Sequence, residues 1–265
     1  MDRDAVIVSA VRTAIAKQGG ALASLPAHIY GGEVIKEAVN RVNINPEAID
    51  DVIMGNVLGG GGNIARLTAL QAGLPLSTPG LTIDRQCGSG INAVILAAQA
   101  IQSGAGDIYV AGGIESMTRA PYLMERPETP YSSMPPKWQR MQHAPKGIGS
   151  PPMGITAENV AKQYNITREE QDAFAYGSQQ KMARAMKEGR FEEQIVPIKV
   201  PVRKGEPIIF EKDEHPRPNT SLEALSKLRP AFDKEGTVTA GSSSGLNDAA
   251  SAHMNSIVRV EDMVL

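Results

Sequence analysis

Cysteine occurs once in 265 residues, as Cys87 within Asp84-Arg85-Gln86-Cys87-Gly88-Ser89-Gly90. Residues 79–83 before it read as a short strand, and the apolar run 91–101 after it reads as a helix. The thiol would then stand at a helix N-terminus, where the dipole and unpaired N–H groups favour a thiolate and any oxyanion formed beside it. Gly88 and Gly90 remove side-chain bulk where a substrate would approach, which favours a nucleophile. The competing reading is a buried, inert cysteine.

Other candidate chemistry is weaker. Gly59-Gly60-Gly61-Gly62 lacks the Gly-Lys-Ser/Thr of a phosphate loop and reads as a flexible connection between strand and helix. Gly241-Ser242-Ser243-Ser244-Gly245 matches the pattern of a serine nucleophile elbow, set between a strand at 237–240 and a helix carrying His253. That elbow needs an acid and then a histidine later in the chain, whereas only 20 residues of the sequence follow it and His253 lies ten positions on in the same expected helix. His28, His143, His215 and His253 have no metal-ligand spacing with one another. Arg203, Lys204, Arg217, Lys227 and Arg229 are interleaved with Glu211, Asp213 and Glu214. They read either as a solvated surface or as a site for a phosphorylated group.

The elements that position these residues follow from periodicity. Ala5-Val6-Ile7-Val8-Ser9-Ala10 is an apolar run of the kind a doubly covered strand needs. Residues 26–42 carry apolar side chains at helical spacing, and Asn45-Pro46 opens a short turn with a cap and a proline at the first helical position. A strand at 51–58, a helix at 64–72 and a strand at 107–113 complete an alternation that points to an α/β layered fold. Residues 121–152 are rich in Pro, Met and Ser and read as a long excursion. A helix from Thr156 follows, then a longer one opened by the capping box Thr167-Arg168-Glu169-Glu170. Two short strands are expected around Lys204-Gly205. Composition is that of a globular chain, 42% hydrophobic and 21% charged with a net charge of −2, so neither nucleic acid nor a membrane is an expected partner. No apolar run approaches the roughly 18 residues of a membrane span. The N-terminus does not read as a signal peptide, and a lone thiol fits a reducing compartment, so the expected location is the cytoplasm.

Several segments together resemble the N-terminal half of a thiolase, the acetyl-CoA C-acetyltransferase family. They are Val8-Ser9-Ala10-Val11-Arg12-Thr13, Cys87-Gly88-Ser89-Gly90, Ala111-Gly112-Gly113-Ile114-Glu115-Ser116-Met117 and Met153-Gly154-Ile155-Thr156-Ala157-Glu158-Asn159. Leu228-Arg229-Pro230-Ala231-Phe232, leading to Gly236-Thr237-Val238-Thr239-Ala240-Gly241, is the last. The resemblance covers residues 5–252. It implies a layered mixed β-sheet covered by helices, with a core at 1–117, an inserted loop domain at 118–233, a return to the core at 234–256 and a divergent tail at 257–265.

The resemblance also implies roles. Cys87 accepts an acyl group from acyl-CoA and its N–H contributes to an oxyanion hole, ahead of condensation with acetyl-CoA or the reverse cleavage in fatty acid metabolism. Met153, Arg217, Leu228, Phe232, Ala240 and Ser244 contact CoA or the acyl group. Coenzyme A thioesters are substrates, and no resident cofactor is expected. Family members carry a second half with a Gly-His-Pro histidine, an asparagine and a second cysteine, none of which has a counterpart in these 265 residues. Pro152, Ala224 and Ser242-Ser243 also depart from the usual pattern. The expectation is therefore a truncated thiolase that is inactive alone, or else a CoA-binding module or one subunit of a split enzyme. The helix after Cys87 has almost no polar face and is expected to be buried all round, against a second copy of the chain or a partner that supplies the missing half.

Overall fold

A computed structural model of the chain describes residues 3–59, 62–127, 129, 131, 134–139 and 141–258. The tail expected at 257–265 lies almost wholly outside them, as do the two central glycines of the 59–62 loop. The chain divides into two compact units, one of Met1–Ala120, Phe191–His215 and Leu246–Leu265, the other of Pro121–Arg190 and Pro216–Gly245. These boundaries differ from the single insertion read at 118–233, since residues 191–215 cluster with the first unit.

The first unit is a sheet covered on both faces. Its elements run β1 (Asp4–Thr13), β2 (Ala16–Lys17), α1 (Ala27–Val42), β3 (Asp51–Gly55), α2 (Ile64–Gln71), β4 (Gly80–Ile83), α3 (Ser89–Ser103) and β5 (Ile108–Ser116). After the second unit's first segment come β6 (Ile195–Val196), β7 (Ile198–Val200) and β8 (Ile208–Phe210), and finally β9 (Asn247–Val258). The strand order is β4-β3-β5-β9-β1-β6, with β2 beside β9 and β7-β8 forming a separate hairpin. Strands β3, β4 and β5 are parallel, whereas β9 runs antiparallel to both β5 and β1. Alternation sorts the strand residues between two cores. Val52, Met54, Val110, Ala250, Ala252 and Met254 face α1 and α2, while Ile53, Tyr109 and Ala111 face α3.

Two expectations are corrected here. Asn247–Val258 is a strand, not the helix in which His253 was placed. Asp248, Ala250, Ala252 and Met254 are buried at every second position, and that period, set by two flanking strands, overrides the helical propensity of an alanine-rich segment. Residues 237–240 are not a strand. The N–H groups of Thr237 and Val238 donate to the Glu158 carboxylate and that of Thr239 to Ser242 Oγ. With side chains taking the donors, only an isolated bridge between Pro230 and Thr239 forms.

The second unit holds α4 (Met153–Tyr164), α5 (Arg168–Lys187) and α6 (Leu222–Ser226). Helix α4 begins at Met153, three residues before the sequence reading. Helix α5 has both arms of its capping box: Glu170 N–H donates to Thr167 Oγ1, and Thr167 N–H donates to Glu170 Oε2. No helix among the described residues is long and apolar enough to cross a membrane.

Candidate active site

The Cys87 turn is built by its neighbours. Strand β4 ends at Ile83, and Asp84 accepts the N–H of Gln86 at 2.7 Å, an Asx turn that halts the strand. Gln86 then takes φ +52°, a left-handed conformation that costs of order 1–3 kcal/mol for a residue with a side chain. Its carbonyl accepts both the N–H of Ser89 at 3.0 Å and the Ser89 hydroxyl at 2.6 Å, while the same hydroxyl accepts the N–H of Arg85 at 2.8 Å. Gly88 is the helix cap, and its carbonyl accepts from Asn92 as α3 begins.

Cys87 is exposed, so the inert buried reading does not hold. Among the described residues neither its N–H nor its sulfur makes a hydrogen bond of ordinary geometry. A thiol with free approach and an unclaimed N–H, one residue before the cap of a fifteen-residue helix, can attack a carbonyl and hold the oxyanion that results.

The glycines around the turn have separate tasks. A Cβ on Gly55 of β3 would lie 2.5 Å from the Gly90 nitrogen, and the Gly113 Cβ would lie 3.5 Å from Gly90 Cα. Gly55 thus lets the start of α3 sit directly on β3, whereas a Cβ on Gly90 itself would meet nothing closer than the Gly112 carbonyl at 3.9 Å. A Cβ on Gly88 would likewise meet nothing closer than the Arg85 carbonyl at 3.4 Å, so packing requires neither of the two glycines after Cys87. Within this chain helix α3 buries one face. Ala93, Ala97 and Ile101 face the sheet, while Ile91 is 70% and Ile95 47% exposed, because within this unit only one layer lies against it.

Below the turn, Asn56 donates to the Ile114 carbonyl and to Glu115, and Glu115 also accepts the N–H of Val57 at 2.9 Å. Burial pushes the Glu115 carboxyl up from its ordinary value, against those hydrogen bonds. Asp248, fully buried, accepts from Thr118 N–H at 2.9 Å and from Ser116 at 3.3 Å. These carboxylates hold the loops that leave β3 and β5. The sequence motifs contained Glu115 and Ser116 but gave no reason for them.

The six residues expected to contact CoA all lie in the second unit. Met153 is 61% and Phe232 46% exposed, and the Phe232 ring lies against Gly154, the residue after Met153, where an added Cβ would come within 2.1 Å of it. The Leu228 side chain packs on Gly241, beside Ala240. Arg217 donates its N–H to Gln179 Oε1 at 2.7 Å, and Ser244 is exposed. Glu158, from the same motif as Met153, closes on the backbone of Thr237 and Val238 at 3.0 and 2.8 Å. Arg168 donates to the carbonyls of Leu225 and Leu228. Two residues that sequence reasoning gave no role, Glu158 and Arg168, therefore set the frame on which the expected contacts stand. The serine pattern at 241–245 is a local turn, since Ser243 donates its hydroxyl to the Thr239 carbonyl at 2.7 Å. With a strand after it instead of a helix, the nucleophile-elbow reading falls.

A groove of about 770 Å³ lies within this unit, between α4, the start of α5 and the 238–242 turn. Met153, Val160, Tyr164, Phe174 and Val238 line it.

Comparison with known proteins gives one consistent result. Residues 5–256 match the family model described as the thiolase N-terminal domain. The chain is 49% identical over 263 residues to an acetyl-CoA acetyltransferase of Cupriavidus necator, a match covering 94% of this chain and 65% of that protein. An acetyl-CoA acetyltransferase of Pseudomonas aeruginosa is 46% identical over 263 residues, with the same coverages. The crystal structure of the Bacillus anthracis acetyl-CoA acetyltransferase superposes with a TM-score of 0.86 at 39% identity, over 96% of this chain and 66% of that one. The chain thus spans about two-thirds of the length of the relatives it matches.

Proposed function

This chain belongs to the thiolase family through its N-terminal domain, and we propose that it carries the acyl-accepting half of a thiolase-type acyltransferase acting on coenzyme A thioesters. The observation that carries this reading is the exposed Cys87, held before α3 by a left-handed Gln86. In the proposed step the Cys87 thiolate attacks the acyl carbonyl carbon, the bond from that carbon to the CoA sulfur breaks, and CoA leaves as a thiolate that takes up a proton. The acyl group remains as a thioester on Cys87, ready for condensation with acetyl-CoA or, in reverse, for thiolytic cleavage. Met153, Arg217, Leu228, Phe232, Ala240 and Ser244 are the proposed contacts for CoA and its acyl group. The chemistry needs no resident cofactor.

Among the described residues no side chain hydrogen-bonds the Cys87 sulfur. General-base assistance of roughly 10²–10⁴-fold is therefore proposed to come from other groups, and the 265-residue polypeptide alone is proposed to be essentially inactive in thiolysis. The exposed Ile91 and Ile95 support an assembly, either a homo-oligomer or a complex with a partner that covers α3. The proposed setting is the cytoplasm, where a lone thiol stays reduced.

The test is incubation of the chain with acetyl-CoA followed by intact-mass and peptide analysis. An acetyl adduct on Cys87 that disappears in Cys87→Ser is expected. No adduct on the parent chain, or one that survives Cys87→Ser, would remove Cys87 from the reaction.

A further inference from the structure

The feature that the acyl-accepting role of Cys87 does not by itself explain is the clamp on the residue before it. Gln86 has the left-handed conformation with φ +52°, and both of its peptide groups are tied to side chains. On one side Asp84 accepts its N–H at 2.7 Å. On the other Ser89 donates its hydroxyl to the Gln86 carbonyl at 2.6 Å and accepts the Arg85 N–H at 2.8 Å, so one oxygen ties the 84–85 peptide to the 86–87 peptide. Ser89 is in turn fixed to the sheet. It is 4% exposed, and a Cβ added to Gly55 would come within 2.7 Å of its own Cβ. The direction of the Cys87 side chain is thus set from β3 through a buried hydroxyl, and from β4 through an exposed carboxylate.

We propose that Ser89 and Asp84 are positioning residues for acyl transfer: by holding Gln86 left-handed, they fix the direction in which Cys87 presents its sulfur. The inference rests on the reading of Cys87 as acyl acceptor. Direction matters for transfer from a large thioester, where a displacement of about 1 Å costs on the order of 10²-fold. It matters little for a small alkylating reagent that can approach an exposed thiol from many sides.

The experiment compares the full chain with Ser89→Ala, Asp84→Ala and Ser89→Ala/Gln86→Gly. Two rates are read at fixed pH: acetylation of Cys87 by acetyl-CoA, and its alkylation by iodoacetamide. Acetylation is expected to fall tenfold or more in Ser89→Ala and several-fold in Asp84→Ala, with alkylation within about twofold of the parent. Glycine enters the left-handed region without the side-chain penalty, so Gln86→Gly should restore part of the rate lost in Ser89→Ala. A residue that merely fills space would not be rescued in this way. Acetylation unchanged in both single variants, or a loss that Gln86→Gly leaves unrelieved, overturns the inference. Asp84 is exposed, so its variant decides the matter even where Ser89→Ala does not fold. Failure of the parent chain to acetylate at all overturns the acyl-acceptor reading instead, and this inference with it.

Discussion

The two units are held together by different forces. In the first, two apolar layers sandwich the sheet, and Tyr30, Ile35, Met54, Val110 and Met254 are all fully buried. In the second, the buried set among the described residues is Ala161, Asp172, Ala175, Leu225, Val238 and Thr239, with Leu225 the one large apolar side chain among small and polar ones. Its order comes from side chains that grip backbone: Glu158 on Thr237 and Val238, Arg168 on Leu225 and Leu228, and Ser242 on Thr239. Area buried stabilises the first unit, whereas a handful of hydrogen bonds of about 1 kcal/mol each stabilises the second. The proposed nucleophile sits on the unit with the apolar core, and the proposed CoA contacts on the one expected to open more easily.

That contrast can be broken by substitution. Met54→Ala removes a fully buried side chain from the middle of β3 and should cost about 2–5 kcal/mol, read from urea unfolding of the chain. A loss below about 1 kcal/mol would mean that the first unit does not depend on this core. Glu158→Ala should cost less, about 1–3 kcal/mol, and should act locally. Amide exchange in α4 and around 236–240 is expected to accelerate while β3 and β5 keep their protection. Equal acceleration in both units would erase the distinction.

The smallest effect is electrostatic. Burial lowers His253, in β9, below its ordinary value of 6.5. The folded chain therefore binds fewer protons than the unfolded one as pH falls through that value. Stability should fall with pH from about 6.5 downwards, until the lowered folded value is passed. Urea midpoints measured from neutral pH to about pH 5 should decline less steeply in His253→Gln. An unchanged slope would assign the acid sensitivity to other groups.

Much of the secondary structure in both units was legible because its signals are local. The run of residues 5–10, the helical spacing of 26–42 and the Thr167 capping box each name an element without reference to the rest of the fold. Strand β9 was not legible, because Ala249, Ala250 and Ala252 favour a helix and only their place between β5 and β1 makes them a strand. The same holds at 237–240, where Val238 and its neighbours look like a strand until Glu158, about eighty residues earlier, takes their donors. Of the candidate site, Cys87 stands out by its uniqueness, and Asp84 two residues before Gln86 is a readable turn signal. Ser89 could not be assigned a task, since its task depends on a φ angle that no residue type announces.

The place of β9 also governs how the chain reaches this state. By residue 246 the polypeptide holds two partial sheets, β4-β3-β5 and β1-β6, with nothing joining them. Each offers an open edge, the kind of surface on which strands of other chains pair. The piece that seals both edges is the final strand, and one of its bonds, from Ala250 N–H to Thr13, spans 237 residues. Closure over such a separation is slow, so the nascent first unit stays open until residues 247–258 have left the ribosome. During that interval β1 and β5 are the segments most exposed to aggregation.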